Sequence, residues 1–146
     1  MRHSLFVAVI AVVTSAASAD IRPTDTNKPL FRVLKFKALH DGMLEGKRAK
    51  GDVDVEHPML VVWKIRDIQL AGDRKGVLIT LTAEDTKKFA VVTRRYGYLV
   101  FEGDDRALEV LHITSPITNG IIGFKYPEEA VVVEYLRRRL GLGEFK

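Results

Sequence analysis

A row of acidic side chains is the part of the sequence closest to a recognisable chemistry. Asp52, Asp54 and Glu56 occupy alternate positions, and His57 follows them. If this segment is extended, its alternate side chains share one face, where carboxylates and an imidazole could hold calcium or another divalent cation. The spacing of a calcium-binding loop is absent, however, and charged side chains also keep an exposed edge strand from associating. We therefore predict a solvated edge strand and assign no metal site.

The remaining groups that could take part in catalysis lack a partner at a useful spacing. They are His40, His57, His112, Ser115, Asp73 and the pair Asp104-Asp105. His112 alternates with Val110 and is expected to be a half-buried strand residue. Ser115 has no nucleophile-elbow glycines around it, and aspartates in turns serve local backbone bonding. The sequence therefore assigns no catalytic, cofactor-binding or metal-binding residue and predicts a protein that is not an enzyme.

Composition excludes several further classes of function. The 146 residues include no cysteine, which excludes disulfides, thiolate nucleophiles and cysteine-ligated zinc. The formal net charge is +4, and 29% of the residues are charged, with both signs present. That excess is too small for the basic surface of a nucleic-acid-binding protein, so we expect no nucleic-acid partner.

The first residues have the order of a secretory signal peptide. Arg2 is positive, Leu5 to Val13 form an apolar core, and Ala17-Ser18-Ala19 matches a cleavage site. The apolar run is shorter than the roughly 20 residues that cross a membrane. We expect cleavage after Ala19 and a soluble protein, periplasmic or secreted, without stable membrane insertion. We further expect a flexible lead-in over residues 20–29, which contain two prolines, and a single domain over 30–146.

Short apolar segments separated by turn residues predict an antiparallel sheet. The clearest is Val77 to Thr82, in which Val77, Ile79 and Leu81 alternate with the residues of the other face. A turn is expected at Thr118-Asn119-Gly120. The other predicted strands cover residues 31–36, 59–63 with an irregular extension to 70, 98–101, 108–113 and 121–126, and 53–55 is a candidate edge strand.

Two helices are predicted from their end signals. Thr82 can cap the first helix with Asp85 three residues on. Pro127-Glu128-Glu129 is typical of a helix start, and Gly141 can close that helix in a left-handed conformation. The β-branched run Val131 to Val133 favours a strand, but the end signals outweigh it. The elements together predict an α+β fold, with one antiparallel sheet and both helices on one face.

Several segments in the second half of the chain match one known family in order and spacing. They are Val77 to Thr82 with Ala83 to Ala90 and Thr93-Arg94, Leu99 to Asp104, Ile113 to Gly120, Gly123-Phe124, and Glu128 to Arg137 closed by Gly141. Within residues 59–141 this order resembles the head of the first periplasmic domain of SecD, an accessory subunit of the bacterial protein-export machinery. Each motif is weak by itself. The resemblance implies a ferredoxin-like head fold.

The resemblance does not extend to motor activity. SecD has transmembrane helices whose ionisable residues couple proton flow to translocation, and this sequence shows none. The Gly-Gly of the family's loop is Asn119-Gly120 here. We expect the turn to be kept, because asparagine tolerates positive φ better than other residues with a side chain.

Two further patterns have a structural and a functional interpretation. Arg137-Arg138-Arg139 is a candidate anion patch, but basic residues in a last helical turn also stabilise the helix dipole, which we favour. Four aromatic residues, Trp63, Tyr96, Tyr98 and Phe101, are candidates for a peptide-binding surface. At strand spacing we expect them instead in the core and in cross-strand pairs.

The sequence therefore predicts a non-enzymatic binding module that contacts a polypeptide or an envelope protein. Strand addition at an exposed sheet edge is one mode of contact, and Val53 to Val55 is the candidate edge. An accessory role in export, with docking on the Sec translocase, is the alternative. An envelope hydrolase is the least favoured, because the catalytic groups are missing.

Overall fold

A computed structural model describes residues 20–37, 53–70 and 76–142. The predicted signal peptide (residues 1–19), His40, Asp52 and Asp73 lie outside these ranges. The described elements are β1 (Phe31–Leu34), β2 (Leu60–Val62), β3 (Ile65–Leu70), β4 (Gly76–Leu81), α1 (Ala83–Arg95), β5 (Tyr98–Gly103), β6 (Arg106–His112), β7 (Ile121–Lys125) and α2 (Ala130–Leu140). None of the helices in the described ranges has the length and apolar content that a membrane crossing requires.

The strands form two antiparallel sheets where the sequence predicted one ferredoxin-like sheet. Their orders are β2-β1-β5-β6 and β3-β4-β7. Only Trp63 and Lys64 separate β2 from β3, yet β2 pairs with β1 and β3 pairs with β4. Apolar residues stand on both sides of this boundary, so the hydrophobic pattern does not mark the change of sheet. The α+β class and the antiparallel pairing are confirmed.

One apolar core joins the two sheets. Phe101 of β5 stacks on Phe31 of β1 with ring centroids 4.5 Å apart, and it meets Phe124 of β7 edge to face at 5.1 Å. Helix α1 contacts β2 and β4, and α2 contacts β6 and β7. Each helix therefore contacts one strand of each sheet and helps to cover the shared core.

Helix α1 begins as the sequence predicts. The Thr82 hydroxyl accepts a hydrogen bond from the Asp85 backbone N–H at 3.2 Å, which satisfies one of the free N–H groups of the first turn. Near the other end, the Thr93 hydroxyl donates to the Phe89 carbonyl and accepts from the Ile117 N–H at 2.9 Å. The helix thereby holds the loop that precedes β7.

Helix α2 begins three residues later than its end signals predict. Residues 127–129 form a turn before the helix starts at Ala130. Val132 and Val133 are fully buried, whereas Val131 is exposed, so core packing overrides the strand preference of the β-branched run. Gly141 closes the helix with a left-handed φ of 70°, which confirms the predicted cap.

The Asn119-Gly120 turn is present, and its two residues contribute in different ways. Gly120 has the positive φ, 73°, and the Asn119 side chain accepts a hydrogen bond from the Ile121 N–H at 3.0 Å. The Gly120 carbonyl accepts from the Leu81 N–H at 2.8 Å. The turn is thus fixed to the end of β4, directly before α1.

Candidate functional site

A groove of about 450 Å³ lies between β2 and the first turns of α1. The β2 segment contributes mostly apolar residues to its lining, and the start of α1 contributes polar and charged ones. The lining residues are Pro58, Met59, Leu60, Val61, Trp63, Lys64, Thr82, Glu84, Asp85 and Lys88.

The groove exists because β4 ends early. Leu81 of β4 is paired with Ile65 at the start of β3. In an antiparallel pair, residues after Leu81 would pair with residues before Ile65, and so with β2. The chain instead leaves the sheet at Thr82 and enters α1. Among the described residues, β2 therefore has a strand neighbour on one side only, which is β1.

Trp63 is the most prominent side chain of the groove. It follows β2 directly and is 48% exposed, so the prediction that it belongs to the core is wrong. The other aromatic residues follow the prediction, since Phe101 is fully buried and Tyr98 stacks on His112 across the strands at 4.6 Å. A large half-exposed aromatic ring beside apolar residues is typical of a binding surface.

The charges around the groove largely pair with one another. Glu84 is 3.7 Å from Lys88 within α1, and Lys64 is 3.3 Å from the Asp20 carboxylate. Burial raises the pKa of Asp85 above its ordinary value. The groove thus combines apolar and polar groups with little net charge, which does not suit a strongly charged ligand.

The acidic row of the sequence does not come together as a metal site in the part of the chain that the structure describes. Asp54 is bonded by the Lys35 ammonium at 2.7 Å and by His57 Nδ1 at 3.0 Å, while Glu56 is exposed. No three His, Asp or Glu side chains of the described ranges are grouped as metal ligands. Asp54 instead attaches its segment to the sheet.

Val53 to Val55 does not form the edge strand that the sequence suggested. Val53 makes an isolated bridge with Phe36, and the Asp54 N–H donates to the Lys35 carbonyl at 2.9 Å. Val53 packs with Phe36, Leu34 and Val100 in a second, smaller apolar cluster. These residues therefore cover the outer face of the four-stranded sheet.

Asp54 should titrate near pH 2. Hydrogen bonds from Lys35 and then His57 lower its pKa from the ordinary 3.8 to about 2. Because the folded pKa is the lower one, Asp54 stabilises the fold above pH 3.8, and this contribution is lost as the pH falls through about 2. In an NMR titration of the Asp54 carboxyl carbon, Lys35→Met should raise the midpoint clearly and His57→Ala should raise it less. Lys37→Met is the control, and a wild-type midpoint near 3.8 would contradict the prediction.

A buried polar cluster centres on an arginine that the sequence assigned to the helix dipole. Arg139 is 5% exposed. Its Nη1 donates to the Tyr135 hydroxyl at 2.6 Å and to Asp104 Oδ1 at 3.2 Å. Its Nη2 donates to the carbonyls of Asp25 and Lys28 at 3.3 and 3.2 Å. Arg139 thus holds residues 25–28, in the segment predicted as a lead-in, against α2.

The remaining candidates from the sequence are turn and surface residues. Asp104 and Asp105 form the turn between β5 and β6 with φ values of 52° and 62°, and Asp104 also pairs with Arg138 at 3.1 Å. His112 lies on β6 but is exposed, so the expectation of a half-buried residue is wrong, and Ser115 is exposed in the following bend. The structure brings none of these residues together with the groove at β2.

Comparison with solved structures identifies the fold. The structure of SecDF, a membrane component that enhances protein export, matches with a TM-score of 0.53 at 21% identity, covering 83% of this chain and 70% of that chain. A crystal structure of SecDF in a super-membrane-facing form has a TM-score of 0.49 at 22% identity, covering 74% of this chain and 18% of that one. No protein-family model and no curated protein matches the sequence. The likeness to SecD that the motifs predicted is therefore confirmed for the fold, which is that of a domain of SecDF.

Proposed function

We propose that this protein is an exported, non-enzymatic module that binds polypeptide segments at the groove between β2 and α1, in connection with protein export. The observation that carries the proposal is Trp63, a half-exposed aromatic ring that lines a groove at the outer strand of a sheet. Aromatic side chains in such positions dominate the energetics of binding. The absence of strong net charge around the groove favours apolar chain segments over nucleic acids or charged ligands.

Two further features support the cellular context. Residues 1–19 have the pattern of a cleavable signal peptide, which directs the protein to the periplasm in this proposal. The fold is shared with SecDF, described as a component that enhances protein export. A shared fold does not carry function by itself, so the step from that fold to the same process belongs to the proposal.

Replacing Trp63 by alanine should weaken peptide binding roughly thirtyfold. An aromatic side chain buries about 150–250 Å², so covering the exposed half of Trp63 removes about 100 Å² from water, worth about 2 kcal/mol. Fluorescence anisotropy with a dye-labelled, extended apolar peptide measures the affinity. Val131→Ala is the matched control, because Val131 is also an exposed apolar residue, at 54%, but lies on α2; it should change the dissociation constant less than about twofold.

Trp63 also provides an internal reporter, since it is the one tryptophan of the sequence. Peptide binding at the groove should shift its emission to shorter wavelength as water is displaced from the ring. Unchanged emission at saturating peptide, or equal affinities of wild type and Trp63→Ala, would count against the groove as the binding site.

Photo-crosslinking from position 61 in cells distinguishes a module that binds secretory chains from an accessory factor that docks on the translocase. Secretory chains are the expected crosslinked products, and translocase subunits would indicate the accessory factor instead.

A further inference from the structure

The groove lies where a further strand could pair with β2, and this indicates how a polypeptide would be held. We infer that the bound segment is an extended chain that adds to β2 as an antiparallel strand, in line with β4. This inference rests on the proposed function, because it specifies the binding mode and the ligand class at the same site.

The register of the three-stranded sheet locates the space beside β2. With Leu81 opposite Ile65, an unbroken β4 would place its next residues beside Lys64, Trp63 and β2. Those residues are Thr82 and the first turn of α1, which turn away and line the opposite wall of the groove. The space beside β2 is therefore where a continued β4 would lie, and a ligand strand that follows the direction of β4 runs antiparallel to β2.

The end of β4 is held in place, which keeps this position open. The Leu81 N–H donates to the Gly120 carbonyl at 2.8 Å, and the Thr82 hydroxyl caps α1 through the Asp85 N–H. Both interactions fix the point at which the chain departs from the sheet. The groove is thus built into the fold and does not need to form when a ligand arrives.

The length of β2 sets the class of ligand. β2 has three residues, so backbone hydrogen bonds to it are few and cannot bind a chain tightly by themselves. Alternate side chains of a strand point to one face. In the bound peptide, one side chain would therefore contact Trp63, and the next would point to the opposite face of the strand. The structure therefore fits short extended segments with apolar residues at alternate positions, as in unfolded chains, and does not fit helices.

N-methylation of the peptide backbone tests this mode without changing the protein. The probe is a short peptide in which valine and threonine alternate, with one backbone nitrogen methylated at a time. In strand addition, alternate N–H groups of the peptide residues opposite β2 face it, so methylation should weaken binding about tenfold or more at these few alternate positions. It should weaken binding less than about twofold at the positions between them and beyond β2. Binding to the exported protein is followed by the emission of Trp63.

The outcomes separate this inference from the proposed function. Alternation along the peptide supports strand addition. Binding of the unmodified peptide with no alternation overturns strand addition and leaves the groove as a binding site held by side chains. No shift of Trp63 emission with any unmodified peptide overturns the proposed function and this inference together.

Discussion

Replacing Gly103 by alanine is expected to destabilise the fold by about 3 kcal/mol, which lowers the melting temperature by roughly 10 °C. Gly103 ends β5 directly beneath the ring of Tyr135. A Cβ atom at this position would lie 2.6 Å from Tyr135 Cε2 and 2.7 Å from its hydroxyl oxygen, well inside contact distance.

The ring cannot move aside, and this makes the cost large. The Tyr135 hydroxyl donates to the Leu30 carbonyl and accepts from Arg139, and the ring packs edge to face against Phe101 at 6.5 Å. Tyr135 is buried, so moving its ring would break these hydrogen bonds and disturb the core at the same time. The alanine methyl group therefore forces either the strand or the helix to shift.

Thermal and denaturant unfolding measure the effect, and the chain offers a control at Gly97. No heavy atom lies within 4 Å of a Cβ built there, so Gly97→Ala should change stability by less than about 1 kcal/mol. If the clash with Tyr135 is the cause, Gly103→Ala should cost little in a Tyr135→Leu background, which a double-mutant cycle detects. An equal loss of stability in the wild-type and Tyr135→Leu backgrounds would mean that the clash with Tyr135 is not the cause.

Local end signals predicted the helices well because their causes lie within a few residues. Thr82 caps α1 through the Asp85 N–H, and Gly141 closes α2 at positive φ. Both depend on short-range hydrogen bonds and on backbone sterics. The start of α2 was placed too early because the acidic residues after Pro127 satisfy the pattern of a first turn without being part of the helix.

The groove could not be predicted, because it arises from long-range pairing. The sequence shows an apolar run from Met59 to Trp63 with an irregular extension to Leu70, and nothing in it indicates that β2 and β3 belong to different sheets. The exposure of Trp63 follows from that division and from the departure of α1 after Leu81. Residue type and periodicity report burial only when each segment stays in one sheet.

The role of Arg139 was missed for a related reason. Tyr135 and Arg139 are four residues apart and so share a helix face, which was a usable signal for a polar pair on the buried side. Their other partners, the carbonyls of Leu30, Asp25 and Lys28, are more than 100 residues away in the chain. A basic triplet in a last helical turn does not reveal which of its members is buried.

Replacing Arg139 by methionine is expected to destabilise the fold by about 3 kcal/mol. Methionine fills a similar space but leaves the buried hydroxyl of Tyr135 without its donor, and an unsatisfied buried polar group is costly. The carbonyls of Asp25 and Lys28 lose the same donor, although these two residues are exposed to water. Removal of one partner from a buried charged network costs about 3–5 kcal/mol. We take the lower value because Asp104 is partly exposed and keeps Arg138 at 3.1 Å and Lys28 at 3.6 Å.

Arg138 provides a matched control, since it is the neighbouring arginine and shares the partner Asp104. Its side chain is 62% exposed, against 5% for Arg139, so Arg138→Met should cost less than about 1 kcal/mol. Hydrogen exchange adds a local readout. In Arg139→Met, the Leu30 amide, which donates to the Val62 carbonyl at 2.7 Å, should exchange faster, because residues 25–28 lose both guanidinium bonds to α2, while Thr24 stays bonded to the helix through the backbone carbonyl of residue 139. Equal stabilities of the Arg139→Met and Arg138→Met variants would mean that other contacts hold residues 25–28 in place. Since Leu30 bonds to Val62 of β2, that result would also mean that the position of β2 does not depend on Arg139.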